Sequence, residues 1–204
     1  NALASIATVL GNYSFNALYQ GRPAAREGNT FKRAWFRIVD AFPVEGSRVR
    51  YWDKAGTAGG GARTAGVLLN KALDGLFYVE DVVKGQWSAG EREVVIKQTA
   101  ELDAQKHGHV EIWVEQEPGS GGKESAENTV RMLAGFVIRA ERVTGSKEVR
   151  AEPFAAQCEA GNVRLVKGPW NAEYIEEMAS FPHGKFKDQV DASSGSFNKL
   201  AGGN

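Results

Sequence analysis

The stretch SRVRYWDKAGTAGGGARTAGVLLNKALDGLFYVEDVV, residues 47–83, holds three runs in which apolar and polar side chains interleave. SRVRYWDKA (47–55), TAGVLLNKA (64–72) and GLFYVEDVV (75–83) are dense in residues that suit a pleated, half-buried surface. A glycine-rich segment separates the first two runs, and an Asp-Gly pair stands before the third. Such segments provide the tight turns that antiparallel neighbours need. The spacing therefore predicts a meander of three antiparallel strands.

Downstream the period changes. SAGEREVVIKQTAELDAQK (88–106) offers Ser88 as an N-cap and sets Val94, Val95, Ile96, Ala100 and Leu102 as an apolar stripe, which predicts an amphipathic helix. HVEIWVE (109–115) is a short strand, 124–134 a helix and FVIRAERV (136–143) a strand. SKEVRAEPFAAQCEAG (146–161) reads as a helix interrupted near Pro153 and closed by Gly161, followed by strand VRLVKG (163–168). WNAEYIEEMASF (170–181) is helical, and KDQVDASSGSFNKLA (187–201) is a weaker terminal helix. The order β-β-β-α-β-α-β-α-β-α-α predicts an α/β fold, a mixed sheet flanked by helices. The ribonuclease H-like sheet uses that order, as one of several α/β folds that fit.

Upstream, NALASIATVLG (1–11) suits a short helix, and residues 12–36 mix aromatics, Gly, Pro and basic residues without a period. Residues 1–43 are expected to be a linker or arm, and 44–204 the folded domain. The first residue is Asn1 rather than Met, which predicts a fragment whose function lies partly upstream.

Composition narrows the function. Twenty-five Lys and Arg balance twenty-five Asp and Glu, so no bulk electrostatic attraction to nucleic acid is expected, and any such contact is local or helped by metal ions or a tethered neighbour. The single Cys158 excludes an internal disulfide and a multi-cysteine zinc site. No apolar run approaches the roughly 18 residues of a membrane helix, and the given residues show no basic-then-apolar run of the kind a signal peptide has.

WVEQEPGSGGKES (113–125) resembles a phosphate-binding loop but fails its spacing. The earlier glycine of that motif is replaced by Glu117, and Glu124 stands where a magnesium-binding hydroxyl is required. A glycine-rich turn is the better reading. The glutamate ahead of it is more informative: on a strand, Glu111, Trp113 and Glu115 share one face, and Glu115 lies at the C-terminal end, where α/β sheets place their sites. Asp53 lies inside or at the end of the first strand, and Asp188 and Asp191, three apart, share one face if they lie on a helix. Carboxylates gathered from separate elements repel unless a divalent cation lies among them, and hard oxygen ligands select Mg²⁺ or Mn²⁺.

LGNYSFNALYQGRP, EGNTFKRAWF, RYWDKAGT, WVEQEPGSGGK and GSKEVRAEPFAAQCEAGNVRLVKGPWNAEYIEEMASFPHGKFKDQVDA follow one another, over about residues 11–192, in the order and spacing of a known family. They resemble the C-terminal part of large terminase subunits, the DNA-packaging motors of tailed bacteriophages. The resemblance implies a ribonuclease H-like, resolvase-like nuclease domain, joined through residues 1–43 to an upstream ATPase domain. It implies Asp53 as the first-strand metal ligand, Glu115 as the acid ahead of the glycine loop (Glu117 as fallback), and Asp188 and Asp191 as the last-motif aspartates. Two ions would then serve the attacking water and the departing 3′-oxygen of a phosphodiester. Lys187 stands where the family commonly has an aspartate, which leaves the division of work between Asp188 and Asp191 open.

The resemblance also implies contacts from Lys147 and Arg150 to DNA phosphates, with Lys123 and Arg63 as further candidates; a solvated helix start is the plain alternative for the first two. Double-stranded DNA, the ATPase domain, a small terminase subunit and a portal are the implied partners, in the host bacterial cytoplasm. His107 and His109 read as a solvent loop, His183 stands near the acids, and Trp52, Trp113 and Trp170 suit packing. A DNA-guiding docking module without cleavage and a Holliday-junction resolvase-like nuclease stay open as alternatives.

Overall fold

A computed structural model describes residues 29–54 and 63–202. A 3-10 turn (Arg33–Trp35) precedes β1 (Arg37–Val39), β2 (Gly46–Asp53), β3 (Thr64–Ala72) and β4 (Phe77–Gly85). Then come α1 (Ala89–His107), β5 (Glu111–Gln116), α2 (Ser120–Met132), β6 (Ile138–Arg142), α3 (Lys147–Glu159), β7 (Val163–Val166), α4 (Asn171–Ser180) and α5 (Asp188–Ala201). From β2 onward this is the order expected from the sequence. The strands form one seven-stranded sheet in the order β1-β7-β4-β3-β2-β5-β6. β2, β3 and β4 pair antiparallel, whereas β5 and β6 continue the sheet parallel from β2, and β7 and β1 parallel from β4. The meander turns at Asp74-Gly75, where Gly75 adopts φ 84° and Asp74 Oδ1 accepts the Leu76 N–H.

β1 was not expected. It falls in the segment read as an arm, yet it pairs with β7, and Phe31 and Phe36 are buried in the main core. The first 28 residues, with the predicted N-terminal helix, lie outside the described residues.

Two helical layers cover the sheet. On one face α3, α4 and α5 enclose Val49, Tyr51, Val67, Leu69, Phe154, Tyr174 and Phe197. On the other, α1 and α2 pack Ile96, Ala100, Ala126 and Leu133 against Trp52, Ile112 and Val114. The predicted stripe of α1 is partly wrong, because Val94 and Leu102 are exposed while Arg92, Glu93 and Asp103 are buried. Strand alternation explains it. Arg50 and Lys54 point from β2 and its end to this side, and buried charges demand partners. Arg50 binds Asp103 through two hydrogen bonds of 2.8 and 2.7 Å, and Lys54 Nζ reaches Thr129 at 2.7 Å and Glu93 at 3.3 Å.

Three further expectations change. α2 begins at Ser120, so the glycines are its first turn rather than a separate loop. Gly122 sits where a Cβ would fall 2.2 Å from the Glu117 carbonyl oxygen, so a larger residue could not close that turn. α3 runs unbroken through Pro153, since burial of Ala151, Phe154, Ala155 and Cys158 outweighs the roughly 3 kcal/mol a mid-helix proline costs. The terminal helix is central rather than weak, with nine buried residues in α5.

Candidate functional site

Residue alternation and strand pairing bring the first two acids together. Trp52 pairs with Val114 in the parallel β2–β5 ladder, so Asp53 and Glu115 adjoin one residue further on, at the C-terminal ends of both strands. Asp53 follows Val49 and Tyr51 on the face covered by α5, and Glu115 follows Trp113 on that same face.

α5 provides the other two acids, and its composition lets it approach. Ala192, Ser193, Ser194, Gly195 and Ser196 give it a thin face over β2 and β3. A Cβ at Gly195 would lie 2.6 Å from the Tyr51 ring, so only glycine permits this separation. The serine hydroxyls are satisfied within the protein: Ser194 donates to the Val190 carbonyl and Ser196 to the Val67 carbonyl. Asp188 and Asp191 occupy the first turn of α5, where the helix dipole favours negative charge.

The acids influence one another. Burial, and then the charges of Asp191 and Glu115, push the Asp53 carboxyl well above the usual carboxylate range. The Lys147 charge opposes this only in part, and among the described residues Asp53 makes no side-chain hydrogen bond. Burial likewise raises Glu115, with Arg150 opposing it, and raises Asp188, with Arg63 opposing it.

The basic residues predicted to meet DNA lie mostly among these acids. Lys147 Nζ and Arg150 Nη2 both bind Asp191, the latter at 3.0 Å, and Arg150 Nη1 stands 3.9 Å from Glu115. Arg63 stacks on Phe186 with 3.5 Å between its guanidinium carbon and the ring centroid, and its Nε stands 3.6 Å from Asp188 Oδ2. Lys123 is apart from them, exposed and paired with Glu127 one helical turn on. Glu117 is exposed in the turn after β5. His183 is also exposed, and Lys187 stands at the N-cap of α5 without a side-chain capping bond.

Among the described residues no three acid or imidazole groups stand close enough to share one metal ion, because the cations Lys147, Arg150 and Arg63 lie between them. The donor set nonetheless fits a hard divalent cation in kind. It is all carboxylate oxygen, it lies at the C-terminal edge of the sheet, and burial first and the charges of Asp191 and Glu115 second disfavour the ionised Asp53 carboxylate.

Sequence reasoning missed the residue that orients this helix. Glu177 of α4 is buried and accepts from the Gln189 backbone N–H and Gln189 Nε2, each at 2.6 Å, and from Arg63 Nη2 at 2.7 Å. It caps α5 from a neighbouring helix, so no local capping pattern announces it. Glu141 was also missed; it accepts from the Tyr51 hydroxyl at 3.1 Å and from Lys199 at 2.7 Å.

The histidine pair divides. His107 closes α1 with a side chain only 4% exposed, its Nδ1 3.7 Å from Glu80, so the expected solvent loop applies to His109 alone. The buried Arg48–Glu80 pair draws the ring inward. Trp52 and Trp170 are core residues, while Trp113 is half-buried with Lys199 Nζ 3.9 Å from its ring centroid.

Comparison with known proteins follows this geometry. Residues 50–200 match the family model described as the terminase RNase H-like domain. The large terminase of a thermophilic bacteriophage, solved with ADP, superposes with a TM-score of 0.72 at 14% identity, covering 98% of this chain and 52% of that one. The chain thus spans about half the length of that relative. The large terminase nuclease of thermophilic phage G20c with bound magnesium gives a TM-score of 0.59 at 11% identity, covering 86% of this chain and 99% of that one; the same nuclease is known with zinc and cobalt. The large terminase nuclease domain of Thermus phage P74-26 gives 0.60 at 12% identity, covering 87% and 98%. Comparison with curated proteins finds no match.

Proposed function

The chain belongs to the terminase RNase H-like domain family, and from that premise we propose that it is a metal-dependent endodeoxyribonuclease that cuts concatemeric double-stranded phage DNA during genome packaging. One observation carries the reading: Asp53, Glu115 and the acidic first turn of α5 converge at the C-terminal edge of the sheet, where burial and then the neighbouring carboxylates disfavour Asp53 ionisation.

Asp53, Glu115, Asp188 and Asp191 would hold Mg²⁺ or Mn²⁺. Bound there, two divalent ions supply the Lewis acidity that phosphodiester hydrolysis requires. The protein's own part is placement. β2 and β5 fix Asp53 and Glu115 in adjacent register, and Glu177 fixes the α5 turn that carries Asp188 and Asp191. Arg63, Lys147 and Arg150 provide positive charge beside them for a phosphate backbone. A formal net charge of zero means that this domain does not hold DNA by bulk attraction. An ATPase domain of the same subunit, a small terminase subunit and a portal would keep the duplex in place, in the host cytoplasm.

The test is cleavage of supercoiled plasmid in Mn²⁺ or Mg²⁺ by this chain and by Asp53→Asn. Nicking and linearisation by the wild type, lost in the variant, is the expected result. A wild type inactive with every divalent ion tried would favour the DNA-guiding module, and activity surviving Asp53→Asn would move the site elsewhere.

A further inference from the structure

The four acids of the site are met by three cations, and two of those converge on one acid. Asp191 is the most enclosed member, its side chain only 2% exposed, and both of its oxygens are taken: Lys147 holds Oδ2 and Arg150 holds Oδ1. With the side chain 2% exposed, the two cations cover the open approach to this carboxylate, and a further cation comes in most directly where one of them moves aside.

The two are not equally free to leave. Arg150 stands three residues further into α3, has a side chain 18% exposed, and is shared between Asp191 at 3.0 Å and Glu115 at 3.9 Å. Planar, forked and doubly engaged, it is a fixed bracket. Lys147 is the first residue of α3, its side chain is 46% exposed, and its ammonium sits on a flexible four-carbon stem. The Lys147 stem can swing towards solvent, but Asp191 is buried, so the ammonium leaves readily only when another cation takes its place.

We infer that Lys147 is an exchangeable internal counterion: its ammonium occupies the cation position at Asp191 in the DNA-free protein and yields it to a divalent ion when a DNA phosphate takes up the ammonium. The inference rests on the nuclease reading above and adds a regulatory consequence to it. Without DNA, Lys147 and Arg150 offset the charge at Asp191 and Glu115, and the affinity of the site for a second divalent ion is low. A phosphate arriving beside the first turn of α3 draws Lys147 outward, frees Asp191 Oδ2 and completes the site. Metal loading is thereby coupled to DNA binding, and by reciprocity a loaded site holds DNA more tightly. Such coupling would keep an idle domain from assembling a full nuclease centre.

The experiment is Mn²⁺ binding, followed by calorimetry and by the electron paramagnetic resonance signal of free Mn²⁺, on the 204-residue chain. Wild type, Lys147→Met and Lys147→Arg are compared, with and without a short duplex carrying non-hydrolysable phosphorothioate linkages. Methionine keeps the stem and removes the charge; arginine keeps the charge. Thermal melting of each protein establishes that it is folded. In the absence of DNA, Lys147→Met is expected to bind one more ion than wild type, or the weaker ion about tenfold more tightly, which is about 1.4 kcal/mol. Lys147→Arg should behave as wild type does. Duplex should tighten Mn²⁺ binding to the wild type and have a smaller effect on Lys147→Met. Equal stoichiometry and affinity in wild type and Lys147→Met overturns the counterion role while leaving the metal site intact. If no protein binds Mn²⁺ with or without duplex, the nuclease reading fails along with it.

Discussion

Replacing Glu177 with alanine tests how the site is held. Three donors converge on this buried carboxylate: the Gln189 backbone N–H and amide at 2.6 Å each and Arg63 at 2.7 Å. Each donor stranded in a buried setting costs about 1–3 kcal/mol, so an upper limit is about 9 kcal/mol. Two effects reduce it. Water enters the space the side chain leaves, and the desolvation that raises the Glu177 carboxyl is relieved when the carboxyl is removed. Loss of a helix cap alone costs about 1 kcal/mol, and breaking a buried ion pair about 3–5 kcal/mol. We expect a loss of about 3 kcal/mol, a large share of the roughly 5–15 kcal/mol that holds a domain together. In urea, with a slope of about 2 kcal/mol per molar, the midpoint should fall by about 1.5 M. Glu177→Gln keeps an acceptor for the Gln189 N–H and should lose about half as much. Metal binding should weaken alongside, because α5 carries Asp188 and Asp191. A midpoint shift under about 0.3 M in Glu177→Ala would falsify the claim that Glu177 fixes α5.

Gly195→Ala tests the close approach of α5 to β2. Alanine gains about 1 kcal/mol of helix propensity, whereas a Cβ 2.6 Å from the Tyr51 ring overpacks the interface at about 1–3 kcal/mol. Net destabilisation is expected by thermal melting, and a stabilised variant would contradict the packing argument. The pH dependence follows from the raised carboxyls of Asp53, Glu115 and Asp188. A raised folded-state pKa means that the folded protein binds protons the unfolded chain releases, so this contribution is fully present below the ordinary carboxylate range and is lost as pH rises through the raised values. Metal-free protein should therefore gain stability on mild acidification towards the ordinary carboxylate range, and Asp53→Asn should flatten that slope. Chemical denaturation across pH in chelator checks it, and an unchanged slope in Asp53→Asn counts against the shared origin.

Much of the fold is legible in the residues because it rests on local periods. The meander, the strand–helix alternation and the parity that puts Glu115 opposite Ile112 and Val114 follow from side-chain spacing along single elements. Errors arose where a partner distant in sequence changed the meaning of a residue. α1 was assigned an apolar stripe because nothing within it shows that Arg50, 53 residues away, needs Asp103. α5 was read as weak because Ser, Gly and Ala are poor hydrophobes, yet their small size is what lets the helix lie against Tyr51. β1 escaped notice because three residues carry too short a pattern to stand out.

The candidate site divides the same way. Sequence alone determined which acids stand at strand ends or in a helix's first turn, since alternation and helical spacing act within a few residues. The failed spacing of WVEQEPGSGGKES also reads against a phosphate loop, because that motif is a matter of spacing. Only the tertiary structure decided that Asp53 and Glu115 adjoin, that Lys147 and Arg150 turn onto Asp191 rather than outward, and that Glu177 caps α5 from another helix. These arrangements depend on groups brought together across 12 to 62 residues of chain. Coulomb attraction and buried hydrogen bonding act through space, and a sequence records only order along the chain.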